Sequence, residues 1–385
     1  MDCLSGITGG GTPSREVPEY WDGTIPWASV KDLSNRNQTP KEYISIIGLE
    51  SSSSNLIPAG TCIIGTRMAV GVVKRFSEPV AINQDLKALF PNEKLAEDYL
   101  YYFIVSKQPV LQILGIGSTV SGISLKDLRK LPIPLPPLPE QKKIAEILST
   151  WDQAIEKLEK LIALKEKRKK GLMQQLLTGK KRLPGFGKPV EKNGDVPEGW
   201  ERVKLRDVLI GSTTRNSDMK LKDVRSVNKV SGMQPMENRF IGSDISKYKV
   251  VTKNYYAYNP MRINIGSINK WTNESKCLVS PDYVVFRCDN NILNHNFFDF
   301  IIGSHRWNQF IEREGNGSVR VRIYLKDLGR MMLILPEMNE QHQIATILSC
   351  SEVEIRCLKK QLSKYVEQKK GLMQKLLTGE VRVDV

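Results

Sequence analysis

At 385 residues the chain exceeds the roughly 100 to 200 residues of one ordinary domain, so two or three domains with cores of their own are expected. Its formal net charge of +15 points to a polyanionic partner, nucleic acid first and an acidic protein second, because clustered Lys and Arg bind phosphates by releasing condensed counterions. No apolar run reaches roughly 18 residues and the N-terminus lacks the sections of a signal peptide, so a soluble, cytoplasmic protein is expected.

Residues 1–138 read as a mixed α/β domain, in which short runs such as Thr61 to Ile64 are broken by Gly, Asn, Pro and Ser. The glycine run Gly9 to Gly11 leads into Thr12, Ser14 and Arg15, while Lys31, Asn35, Arg36 and Asn37 cluster and Asn83, Gln84 and Asp85 form a polar island. Gly117 to Val120 places Ser118 and Thr119 in a loop of small residues whose backbone N–H groups suit a phosphate. The proline-rich run Leu131 to Pro139 then stops a strand and aims the chain into a helix.

That helix spans 139–179. Ile144, Leu148, Trp151, Ile155, Leu158 and Ile162 alternate steps of four and three, a heptad stripe that Lys165 and Lys169 occupy before Leu172 and Leu176 resume it. Pro139 and Gly179 bracket it, and about forty residues at 1.5 Å each make a rod of about 60 Å. Residues 180–195, rich in Lys, Gly and Pro, read as a linker.

A second mixed α/β domain spans 196–337 and contains apolar runs such as Tyr283 to Phe286. Arg215, Asn216, Arg262, Asn264, Asn269, Lys270, Arg320 and Arg322 supply forks and amides of the kind that pair with guanine or adenine edges. Ser318 and Arg320 lie in a loop, Gly317 to Arg320, in the same place as Gly117 to Val120. The final helix, 338–379, carries its stripe on Ile344, Leu348, Ile355, Leu358, Leu362, Tyr365, Leu372 and Leu376, with Ser351 where the first helix has Trp151.

The two helices are copies. LKDLRK from Leu125 recurs as LKDLGR from Leu325, Glu140 and Gln141 return as Glu340 and Gln341, and KKGLMQQLLTG from Lys169 returns as KKGLMQKLLTG from Lys369, all in one register of 200 residues. The preceding globular halves resemble each other poorly. Neither helix buries its stripe alone, so the two are expected to pair antiparallel with the globular halves at opposite ends; capping of each helix's own domain is the other possibility.

Signals for chemistry are sparse. No GxxxxGK[ST] or GxSxG string occurs, and Asn259 to Arg262 falls short of a methyltransferase loop, lacking a second proline and an aromatic residue. Asp282 follows Pro281 without the Glu-x-Lys of a nuclease site. Cysteines 3, 62, 277, 288, 350 and 357 form no CxxC pair, and histidines 295, 305 and 342 add no metal-ligand spacing.

Two unlike domains alternating with two near-identical helices resemble the specificity subunit of type I restriction-modification systems. Leu138-Pro139-Glu140-Gln141 with Ile144 to Leu148 is similar to the start of that family's helix, and KKGLMQQLLTG to its end. Val196 to Trp200 resembles the opening of a recognition domain, as do Gly10 to Ser14, Pro18 to Trp21 and Ile25 to Trp27 for one common class. The resemblance implies an α/β (α+β) chain of two target-recognition domains separated by two long helices that pair as an antiparallel coiled-coil spacer. It also implies one half of a bipartite, asymmetric double-stranded DNA target per domain, and docking of two modification (methyltransferase) subunits and of restriction (translocase and nuclease) subunits. The chain itself would be non-catalytic and bind no cofactor, with S-adenosylmethionine, ATP and Mg acting in the partners. The first domain is expected to be shortened by roughly a dozen residues, because strands of 5 or 6 residues plus a lead-in are usual and Leu4 to Gly6 starts almost at once. Two rivals remain: a basic assembly scaffold without sequence-specific DNA binding, and an enzyme fused to its reader.

Overall fold

A computed structural model of the chain describes residues 3–34, 39–116, 122–190, 195–229, 231–315 and 322–384. It divides into two compact units, residues 1–160 with 360–385, and residues 161–359. The boundary falls inside both long helices, Leu138–Leu176 and Met338–Thr378, so each unit contains a globular region and a piece of each helix.

In the first unit, strands Leu4–Gly9, Leu86–Pro91, Cys62–Gly65 and Val73–Lys74 form an antiparallel sheet in that order. Because successive strand residues point to opposite faces, this sheet feeds two cores. Cys62, Ile64 and Leu89 pack under the helix Glu97–Ile116 with Tyr99, Leu100 and Phe103, whereas Ile63, Leu86 and Ala88 join Ala28, Ile57, Val80 and Ile82. Those last residues come from a second sheet, ordered Glu42–Ile44, Ile25–Ala28, Val80–Ile82, Asn55–Ile57, whose middle pair is parallel.

The second unit repeats the first of these sheets. Strands Leu209–Ser212, Val284–Cys288, Tyr256–Tyr258 and Ile268–Lys270 are antiparallel in the same order, and short two-stranded ladders replace the other sheet. The poor likeness of the globular halves in sequence therefore conceals a shared framework. Its core is aromatic: Tyr256 stacks on Phe286 with centroids 5.1 Å apart, and Phe298 meets both edge-on.

Within each unit the helix pieces run antiparallel. In the first, Asp152 meets Lys369 at 2.5 Å and Glu140 meets Arg382 at 2.7 Å. In the second, Lys165 meets Glu354 at 2.5 Å, Glu166 meets Lys359 at 2.6 Å, and Arg182 meets Glu340 at 2.9 Å. The stripe residues Ile144, Leu148, Leu158, Ile162, Ile344, Leu348 and Ile355 are buried, and Trp151, Ile155, Leu358 and Leu362 are half-buried. Lys165 and Lys169 interrupt the apolar seam and are neutralised across it by Glu354 and Glu352.

Pairing and capping, set as alternatives in the sequence, occur together. Ile144, Ala145 and Leu148 join Met373, Leu376 and Leu377 in the core of the first unit, and Leu176 joins Ile344, Ala345 and Leu348 in that of the second. The repeated glutamines do the pinning. Gln141 accepts from the Ala96 N–H and donates to the Lys94 and Pro136 carbonyls, and Gln341 does the same with Asn294, Ile292 and Pro336, all at 2.8–2.9 Å.

Part of the segment read as a linker is anchored. Arg182, with its side chain 4% exposed, forks onto Glu340 at 2.9 and 3.0 Å and donates to the Glu198 carbonyl, while Trp200 Nε1 also donates to Glu340. Lys, Gly and Pro composition could not show that one arginine there has a buried carboxylate to satisfy.

Candidate nucleic-acid interface

The register of each repeated sheet brings the ends of three strands together. In the first unit Gly9 lies opposite Lys87 and Gly65 opposite Leu86, so the Gly10–Arg15 segment, the Asn83–Asp85 turn and the turn after Gly65 share one end. In the second, Ser212 lies opposite Val285 and Tyr258 opposite both Val284 and Ile268, which gathers Thr213–Asn216, Asp282–Tyr283 and Asn259–Ser267.

The glycine run serves close packing. A Cβ on Gly10 would stand 1.8 Å from the Ile82 carbonyl oxygen, and one on Gly11 would stand 2.7 Å from the Ser53 carbonyl carbon. Gly11 N–H donates to the Ile82 carbonyl and Trp27 Nε1 donates to that of Gly11, which fixes where the following polar residues emerge. Thr12 Oγ1 donates to Gln84 Oε1 at 2.6 Å, orienting an exposed amide, and Ser14 is exposed beside them. Arg15 is held by a fork onto Glu42 at 2.9 and 3.0 Å and lies 3.5 Å from the centroid of the Trp21 ring. Its guanidinium edge is thus already occupied.

Asn83 is 5% exposed; its Oδ1 accepts from the Asp85 N–H and its Nδ2 donates to the Asp85 carboxylate, so it shapes the turn that presents Gln84. Lys31 is exposed on the short helix Val30–Leu33. Lys87 donates to the Gln84 carbonyl at 2.8 Å; burial pushes its pKa down, Arg67 adds to that, and Asp85 opposes it.

Unit two repeats the division between presenters and supports. Arg215 is exposed, bridging in the backbone to Lys249, whereas Asn216, 1% exposed, clamps its loop through Leu221 N–H and the Leu221 and Ile245 carbonyls. Lys249 donates to the Tyr283 carbonyl, and burial first, then Arg215, lowers its pKa against the pull of Asp282. Arg262 and Asn264 are exposed in the Asn259–Ser267 turn, and Arg322 is exposed beside Ile323, whose N–H donates to the Pro260 carbonyl.

Asn269 and Lys270 do not join them. They lie on a strand leaving that end; Asn269 packs against Gly232, and Lys270 is half-buried and held by Asp299 at 2.5 Å and Asn296 at 2.7 Å. Asn35, Arg36, Ser118, Thr119, Ser318 and Arg320 lie outside the described residues. Arg67, Lys87 and Lys249 stand at the shared ends and were not singled out from sequence. A signal for the first existed in the Thr66-Arg67-Met68 step between Gly65 and Gly71, a turn flanked by apolar runs.

Burial pushes the Cys62, Cys277 and Cys288 thiols up to about 12, as expected of packing residues. Among the described residues no group of three His, Cys, Asp or Glu could hold a metal ion, and no helix is long and apolar enough to cross a membrane.

The family model described as the type I restriction modification DNA specificity domain matches residues 4–166 and 197–368. The chain is similar to the type I restriction enzyme MjaIX specificity subunit of Methanocaldococcus jannaschii, at 25% identity over 98% of this chain and 91% of that one. A 155-residue stretch is 35% identical to the Escherichia coli EcoR124I/EcoR124II specificity subunit, covering 37% of this chain and 38% of that one. In fold it is similar to the crystal structure of the type I restriction-modification S subunit from M. genitalium, with a TM-score of 0.58 and 15% identity over 97% and 94% of the two chains.

Proposed function

Since the chain belongs to the type I restriction-modification specificity family and is a specificity subunit with two target-recognition domains, we propose that each unit reads one half of a bipartite duplex DNA target at its repeated sheet end. One observation carries this reading: two globular regions unlike in sequence build the same four-stranded sheet and turn amides and cations out at the same end of it. Gln84 and Thr12 in the first unit, and Arg215, Arg262, Asn264 and Arg322 in the second, supply the donors and acceptors that discriminate base edges. The halves of the target differ because these side chains differ. Asn83, Asn216 and Arg15 act as supports that fix the presenting loops.

The helix pair docks two modification subunits and the restriction subunits. Methyl transfer with S-adenosylmethionine, and ATP- and Mg-dependent cleavage, belong to those partners, and the complex acts on DNA in the cytoplasm. The test is modular. Residues 196–330 are exchanged for those of another recognition domain, and preferred targets are selected from random duplexes with modification subunits present. One half of the target should change while the other stays; loss of both half-preferences in a folded, partner-bound protein would overturn independent reading.

A further inference from the structure

The two units share a feature at their sheet ends. The turn between strands Cys62–Gly65 and Val73–Lys74 carries Arg67 and Met68, and that between Tyr256–Tyr258 and Ile268–Lys270 carries Met261 and Arg262. These strand pairs hold the same places in the two sheets. Each turn is tied by the same bond from a residue 200 positions from its counterpart: Ile123 N–H donates to the Thr66 carbonyl at 2.8 Å, and Ile323 N–H to the Pro260 carbonyl at 3.1 Å.

Both turns hold an apolar side chain in solvent beside a guanidinium. Met68 is 85% exposed and Met261 46% exposed. Met68 also has φ of +56°, the left-handed region that a methionine seldom enters. The bonds from Ala69 N–H to the Arg67 carbonyl, Gly71 N–H to Gly65 and Val72 N–H to Ala69 hold it there. In the other turn Asn259 fixes the backbone, accepting from Met261 N–H with its side chain and from Arg262 N–H with its carbonyl. The Arg67 side chain is 58% exposed and, among the described residues, its ion-pair contact is a loose one, 3.9 Å, to Asp85; Arg262 is exposed. A conformation that disfavours the residue occupying it persists where the surroundings impose it, and such sites concentrate where a chain meets its ligand.

We propose that these two turns are the base-reading tips of the protein, with Arg67 and Arg262 forking onto guanine O6 and N7 and Met68 and Met261 packing on neighbouring thymine methyls in the major groove. The inference rests on the DNA reading proposed above and adds Arg67, Met68 and Met261 to the side chains that carry it. Arg15 and Lys270, which look equally suited in sequence, are occupied by Glu42 and by Asp299.

The test uses the full chain complexed with its modification subunits and selection of preferred sites from randomised duplexes. Arg67→Ala should lose about 5- to 150-fold of the discrimination at one guanine in one half-site and leave the other half-site unaltered, and Arg262→Ala should do the converse. Met68→Gly relieves the backbone at φ of +56°, so it should fold at least as well while losing preference at an adjoining thymine. Uniform weakening over all sequences would reduce the arginines to phosphate contacts and overturn the inference, as would unchanged preference in both arginine variants. A wild-type complex with no preference among duplexes would overturn the DNA reading itself, a result distinct from either.

Discussion

Trp151 meets Tyr365 edge to face across the helix pair of the first unit, with ring centroids 5.5 Å apart and planes at 87°. The positions 200 residues away are Ser351 and Lys165, and there the second unit has a notch of about 300 Å³ lined by Lys165, Arg168, Lys169, Cys350, Ser351 and Glu354. Repetition of the helices thus preserves the backbone pairing and not the filling of the seam. Trp151→Ala should destabilise the full chain by about 2 kcal/mol, below the usual 3 to 5 for a wholly buried aromatic because both rings are half-buried. Ser351→Ala should stay within about 0.5 kcal/mol. Urea unfolding of the two variants compares them, and equal losses would show that the ring pair contributes nothing.

Gln341 satisfies three backbone groups at the start of its helix, and its side chain has no exposed alternative at 1% exposure. Truncation to alanine leaves the Asn294 N–H and the Ile292 and Pro336 carbonyls without that partner, and one such buried group costs about 1 to 3 kcal/mol. Gln341→Ala is therefore expected to cost about 3 kcal/mol, with faster hydrogen exchange at Asn294; Gln141→Ala should do the same at Ala96. Native-like protection at both amides would reduce the repeated glutamines to surface features.

Lys87 and Lys249 both have pKa values held below the ordinary 10.5, first by burial and then by a neighbouring arginine. A lowered folded-state pKa means that folding favours the neutral amine, so these groups weaken the fold at pH below that value and relax as pH rises through it. DNA phosphate favours the charged form. Duplex affinity should consequently fall as pH rises through the lowered values, before ordinary lysines titrate. The paired change Lys87→Arg with Lys249→Arg should remove that early decline, because guanidinium stays charged. Titration of binding against pH at fixed salt measures it, and an identical profile for both proteins would exclude these lysines from contact.

The long helices were legible because their evidence is local. A step of four and three residues places Ile144, Leu148, Leu158 and Ile162 on one face whatever surrounds them, and a 200-residue repeat identifies the partner with the same face. The same arithmetic located Lys165 and Lys169 in the seam without showing that Glu354 and Glu352 would meet them, since that depends on the antiparallel register.

Which polar residues face outward was decided only by the tertiary structure. Asn216 and Gln84 look alike in sequence, as polar residues beside loops, yet Asn216 closes its own loop and Gln84 stands at a sheet end with its amide oriented by Thr12. Lys270 belongs to the same residue class as Arg262, a few positions away, but a strand carries it toward Asp299 while the turn leaves Arg262 in solvent. The common sheet of the two halves was equally hidden. Its first strand pairs with one some eighty residues later, Leu4 opposite Pro91 and Leu209 opposite Cys288, and such pairing needs only apolar residues of suitable shape on the inner face. The chain alone therefore determined the repeated helices and the family they belong to, whereas side-chain direction at the shared sheet ends followed from strand register, which long-range packing sets.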